Sequence, residues 1–434
     1  MTTSTPNEPG NSDQDDTLPI TLGKGVANRM AETKVPDGFA RIAQNVDISS
    51  DEVISQRDGY TLVEALANAH SIWSDPQLDF ALLGDANTLY RMSADETIAA
   101  LFTGIKGAEI DYCMTPLGVY CSDGAVAKRV HVDGSVSDWG VETPKVAAAV
   151  AATGSLDAGT YAVTAKYVNA SGEESGAPES QYVDVPAGGG ILVTPSVPLA
   201  SGIDEARIYA TTANGQELQY VGSTVPGTAF SVGAGARGRP LRTQYLHPLP
   251  PLRYPCIKHG RLLGASGRRL IWSEPMYYGL HKPTTNFISL RGQTITMVAA
   301  SDTSTFLVYV GTDTRTYKWE GNSIEDATLA VISHFGVIPG SMARVSPDAI
   351  KLDGIVDPVP VWVDKRGIPY AGTPGGAVQI HDKFAYPIFG AAAAVFDQRD
   401  GNSRYLVSGR GGKPSGLTVG DYVTATVTDC GGGL

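Results

Sequence analysis

The chain has 434 residues, 42% of them hydrophobic, so it is long enough to bury more than one core, and two or three domains are expected. A formal net charge of −12 with a pI near 5.1 argues against a general binder of DNA phosphate. Fifty Gly and 27 Pro suit many turns and few helices.

The four cysteines, Cys113, Cys121, Cys256 and Cys430, form no CxxC pair, so a structural zinc site is not expected. They read as free buried thiols of a chain assembled in a reducing compartment. The chain opens without a basic-then-apolar signal, and no apolar run approaches the roughly 20 residues that span a bilayer. A soluble protein without membrane insertion, not secreted by the usual route, is the expectation.

Residues 1–17 hold no large apolar side chain after Met1, and Glu8, Asp13, Asp15 and Asp16 meet no basic residue. Burial cannot offset the ordering entropy of such a segment, so it is expected to be a flexible acidic arm.

From residue 18 a series of hairpins begins. Phe80–Leu83 and Thr88–Tyr90 flank Gly84-Asp85-Ala86-Asn87, and Gly118–Cys121 and Ala125-Val126 flank Ser122-Asp123-Gly124. Further on, Leu262-Leu263 and Leu270–Trp272 flank Gly264–Gly267, and Phe306–Val310 and Tyr317–Trp319 flank Gly311-Thr312-Asp313. Such turn residues accept positive φ or bond back to their own backbone, which closes hairpins. The turns at Asp85 and Asp123 lie 38 residues apart, Ser266 and Thr312 46, and Thr312 and Arg366 54, with another Asp-Gly turn at Asp400-Gly401. Intervals of that size suit four-stranded propeller blades. A series of β-sandwiches is the alternative.

Residues 143–240 break the interval. Tyr161, Val163, Ala165 and Tyr167 alternate with Ala162, Thr164, Lys166 and Val168, as in a strand with one buried face. Ala206, Ile208 and Ala210 alternate again before Asn214-Gly215, the strongest short hairpin signal. With this segment set aside, Asp123 to Ser266 shrinks to about 45 residues, one blade's length. The predicted fold is therefore all-β: a β-propeller-like domain from residues 18–142 and 241–434, with a fibronectin type III or immunoglobulin-like sandwich inserted at 143–240. The strand over Tyr422–Val427, or one near Ile20, is expected to close the propeller.

One opening pattern resembles a known family. It comprises Gly25, Asn28-Arg29, Val35-Pro36-Asp37-Gly38, Ala43-Gln44-Asn45-Val46-Asp47 and Arg57-Asp58-Gly59-Tyr60. With the segments at 272–283 and 311–321, it resembles the nozzle or hub proteins (tail tubular or DNA-stabilisation type) of double-stranded DNA phage tails. Val35 stands where that pattern has Leu. The resemblance implies a structural virion protein without enzyme activity or cofactor, forming a ring, often sixfold, that extends the DNA exit channel. It implies assembly in the host cytoplasm into the virion tail, contacts to a portal or adaptor and to fibres, a needle or other tail proteins, and transient passage of genomic DNA. A carbohydrate-binding or carbohydrate-active propeller of a tail tip is the alternative function.

No catalytic constellation stands beside this. None of the seven histidines lies three or four residues from another, so a metal site is not expected. Gly233-Ala234-Gly235-Ala236-Arg237-Gly238 matches GxGxxG in letters but precedes Arg239-Pro240-Leu241 rather than a helical repeat, and reads as a linker. Glu173-Glu174 and Asp204-Glu205 read as solvated loop charges. From Leu218 to Ser273 there is no acidic residue, while Arg237, Arg239, Arg242, Arg253, Lys258, Arg261, Arg268 and Arg269 all fall there. Such a block marks a partner surface, unless strands scatter it over several faces. Pro248, Pro250, Pro251 and Pro255 predict an extended surface segment over Leu246–Pro255. Arg239, Arg242 and Arg253 are then the candidate contacts to an acidic neighbour.

Overall fold

The computed structural model describes residues 23–43, 46–48, 52–56, 59, 61–106, 109–388, 390–399, 402–410 and 425–428. The acidic arm, the strand near Ile20, the Asp400-Gly401 turn and Cys430 lie outside the described residues. Among the described residues there is no α-helix, only 3-10 turns at Glu32–Lys34 and Pro347–Ile350; nothing there is long and apolar enough to cross a membrane as a helix.

The strands form many small antiparallel sheets. Val46–Ile48 (β1) pairs with Ile54–Gln56 (β2). A first four-stranded sheet follows, from Ala69–Trp73 (β3), Phe80–Asp85 (β4), Thr88–Ser93 (β5) and Ile98–Thr103 (β6). A second is built from Asp111–Thr115 (β7), Gly118–Ser122 (β8), Ala127–Val130 (β9) and Val136–Asp138 (β10).

The next seven strands make two sheets facing one core. They are Val146–Leu156 (β11), Gly159–Asn169 (β12), Gln181–Val185 (β13), Gly189–Pro195 (β14), Ile203–Ala210 (β15), Gln219–Thr224 (β16) and Phe230–Val232 (β17). Their orders are β11-β14-β17 and β13-β12-β15-β16. Leu156, Tyr161, Val163, Ala165, Ile191, Val193, Ile208 and Val232 fill the space between the two sheets.

The meander then resumes. His247–Pro248 (β18) precedes Arg253–Lys258 (β19), Arg261–Ser266 (β20) and Arg269–Trp272 (β21); Leu280–His281 (β22) pairs back onto β18, and Phe287–Ser289 (β23) completes the third sheet. Ile295–Ala300 (β24), Phe306–Thr312 (β25), Thr316–Gly321 (β26) and Thr328–Ser333 (β27) make the fourth. Ala343–Val345 (β28), Val359–Val363 (β29), Pro369–Thr373 (β30) and Gly376–Gln379 (β31) make the fifth. The last sheet has Ala391–Arg399 (β32), Asn402–Arg410 (β33) and Ala425–Thr428 (β34).

The sheets in the middle of the meander bury both faces, because each packs against the one before and the one after it. Leu82 and Leu89 meet Val119, Cys121 and Val130 between the first and second sheets. Tyr120 and Trp139 meet Leu252, Leu262 and Ile271 between the second and third. Leu263, Leu270 and Trp272 meet Val298, Phe306, Val308 and Trp319 between the third and fourth, with the two indoles 5.3 Å apart. Tyr309 and Trp362 meet with tilted rings 5.2 Å apart between the fourth and fifth, and Val361 and Ala371 meet Tyr405 and Val407 between the fifth and the last. Burying both faces is why β25 and β29 read as continuous apolar runs rather than alternating ones.

The opening motifs serve these joints. Asn28 forms a two-point clasp on the Ala385 backbone: its Nδ2 donates to the carbonyl at 2.7 Å and its Oδ1 accepts from the amide at 2.9 Å. Arg29 donates to the carbonyl of Asp382 at 2.6 Å, and Arg404 of β33 pairs with Asp47 of β1 at 3.0 Å. Val26 joins the core of the fifth and last sheets. Described residues from Asn28 to Asp47 are thus bound to residues from Asp382 to Arg404. The pairing differs from the expectation in place: β34 lies on β33 of its own sheet, and β1 touches β34 from the other end of the chain.

Candidate functional site

The acid-free stretch from Leu218 to Ser273 does not form one basic surface. Lys258 is buried and donates to the carbonyls of Ser301 and Thr303 at 2.6 and 2.5 Å. Arg261 pairs with Glu325 at 2.6 Å, and Arg269 lies over the Phe287 ring. Burial holds the Arg237 guanidinium below its usual pKa. Strand alternation sends neighbouring side chains to opposite faces, so a run of like charge in sequence becomes several separate environments.

Arg253 corrects the expectation for this segment. It pairs with Asp111 of β7 and with Glu109 at 3.5 Å, and only 27% of its side chain is exposed. Leu246, Leu249, Leu252 and Pro255 are buried, so Leu246–Pro255 is no surface strap. Pro255 is tolerated because β19 is the outer strand of its sheet, and its register with β20 shifts between Arg253 and Cys256. The bulge absorbs the missing N–H, and Tyr254 there donates its amide to Asp111 at 3.0 Å. Arg253 therefore ties the third sheet to the second. Nearby, Arg410 of β33 reaches Glu109 at 2.8 Å, which brings the end of the last sheet to the link between the first two.

Arg239 and Arg242 have a different setting. Both are exposed, and neither has an ion pair among the described residues. The return segment runs beside β16: Tyr220 N–H donates to Arg239 O at 3.1 Å, Leu241 N–H to Leu218 O at 2.8 Å, and Gln219 bridges Pro240. The two arginines thus sit on backbone held to a sheet edge. They line an open cleft of about 680 Å³ with Lys166, Glu174, Glu205, Arg207, Tyr209, Tyr220 and Tyr277.

Four charges of the cleft are engaged with one another. Lys166 Nζ lies 2.7 Å from Glu174, and Arg207 lies 3.1 Å from Glu174 and 3.2 Å from Glu205. The Arg207 hydrogen bond holds the Glu205 carboxyl below the usual range, and the same bond raises Arg207. Burial pushes the Tyr209 phenol up to about 12, and Lys166 sits over its ring. β12 is the reason such groups are buried. Its alternation predicts one buried face, yet Tyr161 through Val168 are all buried. One side faces the core between the two sheets, and the other is covered by the segments around Thr211 and Pro178, to which Ala162 and Thr164 hydrogen-bond.

The acidic pair Glu173-Glu174 is not a solvated loop pair. Glu174 holds Lys166 and Arg207, while Glu173 reaches across to Arg129 of β9, whose side chain is 1% exposed. Asn169 fixes Glu173, accepting its amide at 2.9 Å and donating to its carboxylate at 3.1 Å. Nothing in the local sequence marks this partnership, because Arg129 lies 44 residues away in another sheet. His131 completes the cluster, 3.1 Å from Arg129 and 2.9 Å from Ser137.

His131, His281 and His381 are each held below the ordinary imidazole value, chiefly by burial. A depressed folded pKa contributes stability above the unfolded value near 6.5, lost progressively as pH falls below it. The melting temperature is therefore expected to drop between pH 7.5 and 5.5, measured by scanning calorimetry. A flat profile over that range would contradict the burial of these rings.

Among the described residues no group of three or more His, Cys, Asp or Glu side chains is placed to hold a metal ion. Cys113, Cys121 and Cys256 are free, and burial raises all three thiols, Cys121 and Cys256 to about 12.

No family model matches the chain, and no curated protein matches it. A solved structure described as the AfRom2 CNH domain aligns with 72% of this chain and 84% of that one, at 10% identity and a TM-score of 0.24. A likeness that loose carries no argument about fold or function.

Proposed function

We propose that the protein is a structural subunit of a phage tail, a nozzle or hub ring around the DNA exit channel. In this reading residues 18–142 and 241–434 are a β-propeller-like body of six blades, and residues 143–240 are an inserted fibronectin type III or immunoglobulin-like sandwich. The observation that carries the reading is the serial packing of the meander sheets, from the first to the last, with the Asn28-Arg29 motif clasped on residues 382–385. Several of the residues that suggest the family, Asn28, Trp272, Tyr278 and Trp319, lie at joints of the body. The net charge of −12 favours passage of DNA without adhesion.

Partners in this reading are further copies of the chain, as a hexamer, then a portal or adaptor, and fibres, a needle or other tail proteins. The test is light scattering of the purified chain with and without a portal–adaptor complex. Ring-sized particles on the complex are expected. A chain that stays monomeric and fails to bind the complex at low salt overturns the reading.

A further inference from the structure

The cleft beside the inserted sheets has a lining that selects among ligands. Lys166 and Arg207 already have their carboxylates, so the charge available to a ligand is that of Arg239 and Arg242. Each guanidinium presents a planar fork of N–H donors and no acceptor, which matches the two oxygens of one carboxylate. Both lie on backbone fastened to β16, so little main-chain ordering is required on binding. Tyr220 and Tyr277 are half-buried in the same cleft and offer ring faces to an apolar surface.

Glu174 and Glu205 complete the selection. Their carboxylates pair with Arg207 and have oxygens to accept hydrogen bonds from neutral hydroxyls, but they repel further anions. A polyanion such as DNA or a strongly acidic peptide would meet two fixed carboxylates for its two new cations. A single carboxylate on a polyhydroxylated ring meets complementary groups throughout. The volume, about 680 Å³, falls within the range of roughly 300–1,000 Å³ typical of small-ligand clefts.

We propose that this cleft is a binding site for a singly charged acidic saccharide. Arg239 and Arg242 receive its carboxylate, Tyr220 and Tyr277 flank its ring, and Glu205 and Glu174 accept its hydroxyls. This goes beyond the ring reading and does not depend on it, because the site lies within one chain.

The test is isothermal titration of the full-length protein with sialyllactose, a glucuronyl-galactose disaccharide, lactose and hexaglutamate. Saturable binding of at least one acidic saccharide is expected, with lactose at least about tenfold weaker, a difference of about 1.4 kcal/mol. The double variant Arg239→Gln/Arg242→Gln is expected to lose at least about tenfold in affinity. Its melting temperature should be unchanged, since both side chains are exposed. Failure of both acidic saccharides to saturate overturns the proposal, as does unchanged affinity in the double variant. Tighter binding of hexaglutamate than of either saccharide also overturns it, and assigns the arginines to an acidic protein partner.

Discussion

Glu173→Ala is expected to destabilise the protein by about 3–5 kcal/mol, the cost of leaving a buried charge without its counter-ion. The Arg129 side chain is 1% exposed and pairs with Glu173 from outside its own sheet. Its other terminal nitrogen contacts His131, which supplies no negative charge. The exposed pair Lys128–Asp138, one residue away on β9, marks the contrast: Asp138→Ala should cost only about 0–1 kcal/mol. Adding Arg129→Leu to Glu173→Ala removes the uncompensated charge and is expected to recover most of the loss. Urea midpoints of the single and double variants measure this. A Glu173→Ala shift as small as that of Asp138→Ala would show that water reaches Arg129. The same pair changes what removal of the insert should do. Replacing residues 145–238 with a Gly/Ser linker removes Glu173, so a folded remainder is expected only when Arg129 is replaced too.

Asn28→Ala is expected to cost about 2–3 kcal/mol, because it strips partners from both the amide and the carbonyl of Ala385. The contact joins residues 357 positions apart, so its loss loosens the closure of the body rather than one hairpin. Arg29→Ala should add to it through the lost Asp382 contact. Limited proteolysis is expected to cut the double variant first near residues 30–60, before the remaining sheets open. Cleavage no faster than in the parent protein would mean that the clasp contributes nothing to closure.

Local chemistry was legible where a hairpin depends on its own few residues. Asp123 and Asp313 lie in turns between paired strands, as their neighbours predict, while Asp85 ends β4 and Ala86-Asn87 makes the turn. The turn near residue 266 is displaced: Gly264, Ala265 and Ser266 belong to β20, and Gly267-Arg268 makes the turn. A Cβ at Gly264 would lie 2.8 Å from Leu252, so the small residue there serves close packing instead of a turn. Asn214-Gly215 is also no two-residue hairpin. Ala210 pairs with Gln219, and Asn214, at φ +56°, turns back to accept the Thr160 amide at 3.1 Å. The tertiary contact overrides the turn preference.

The all-β class followed from the amino-acid sequence alone, because turn residues and strand alternation act over a few neighbours. The destination of each charge did not. Arg253 reads as a free surface cation and is held by Asp111; Glu173 reads as solvated and holds Arg129; Arg239 and Arg242 remain open to solvent in a cleft with three tyrosines. A charge finds its partner through sheet packing across tens or hundreds of residues, and burial then sets the strength of the interaction. Only the tertiary structure decides which charges meet, which are sealed from water, and which are left for a ligand.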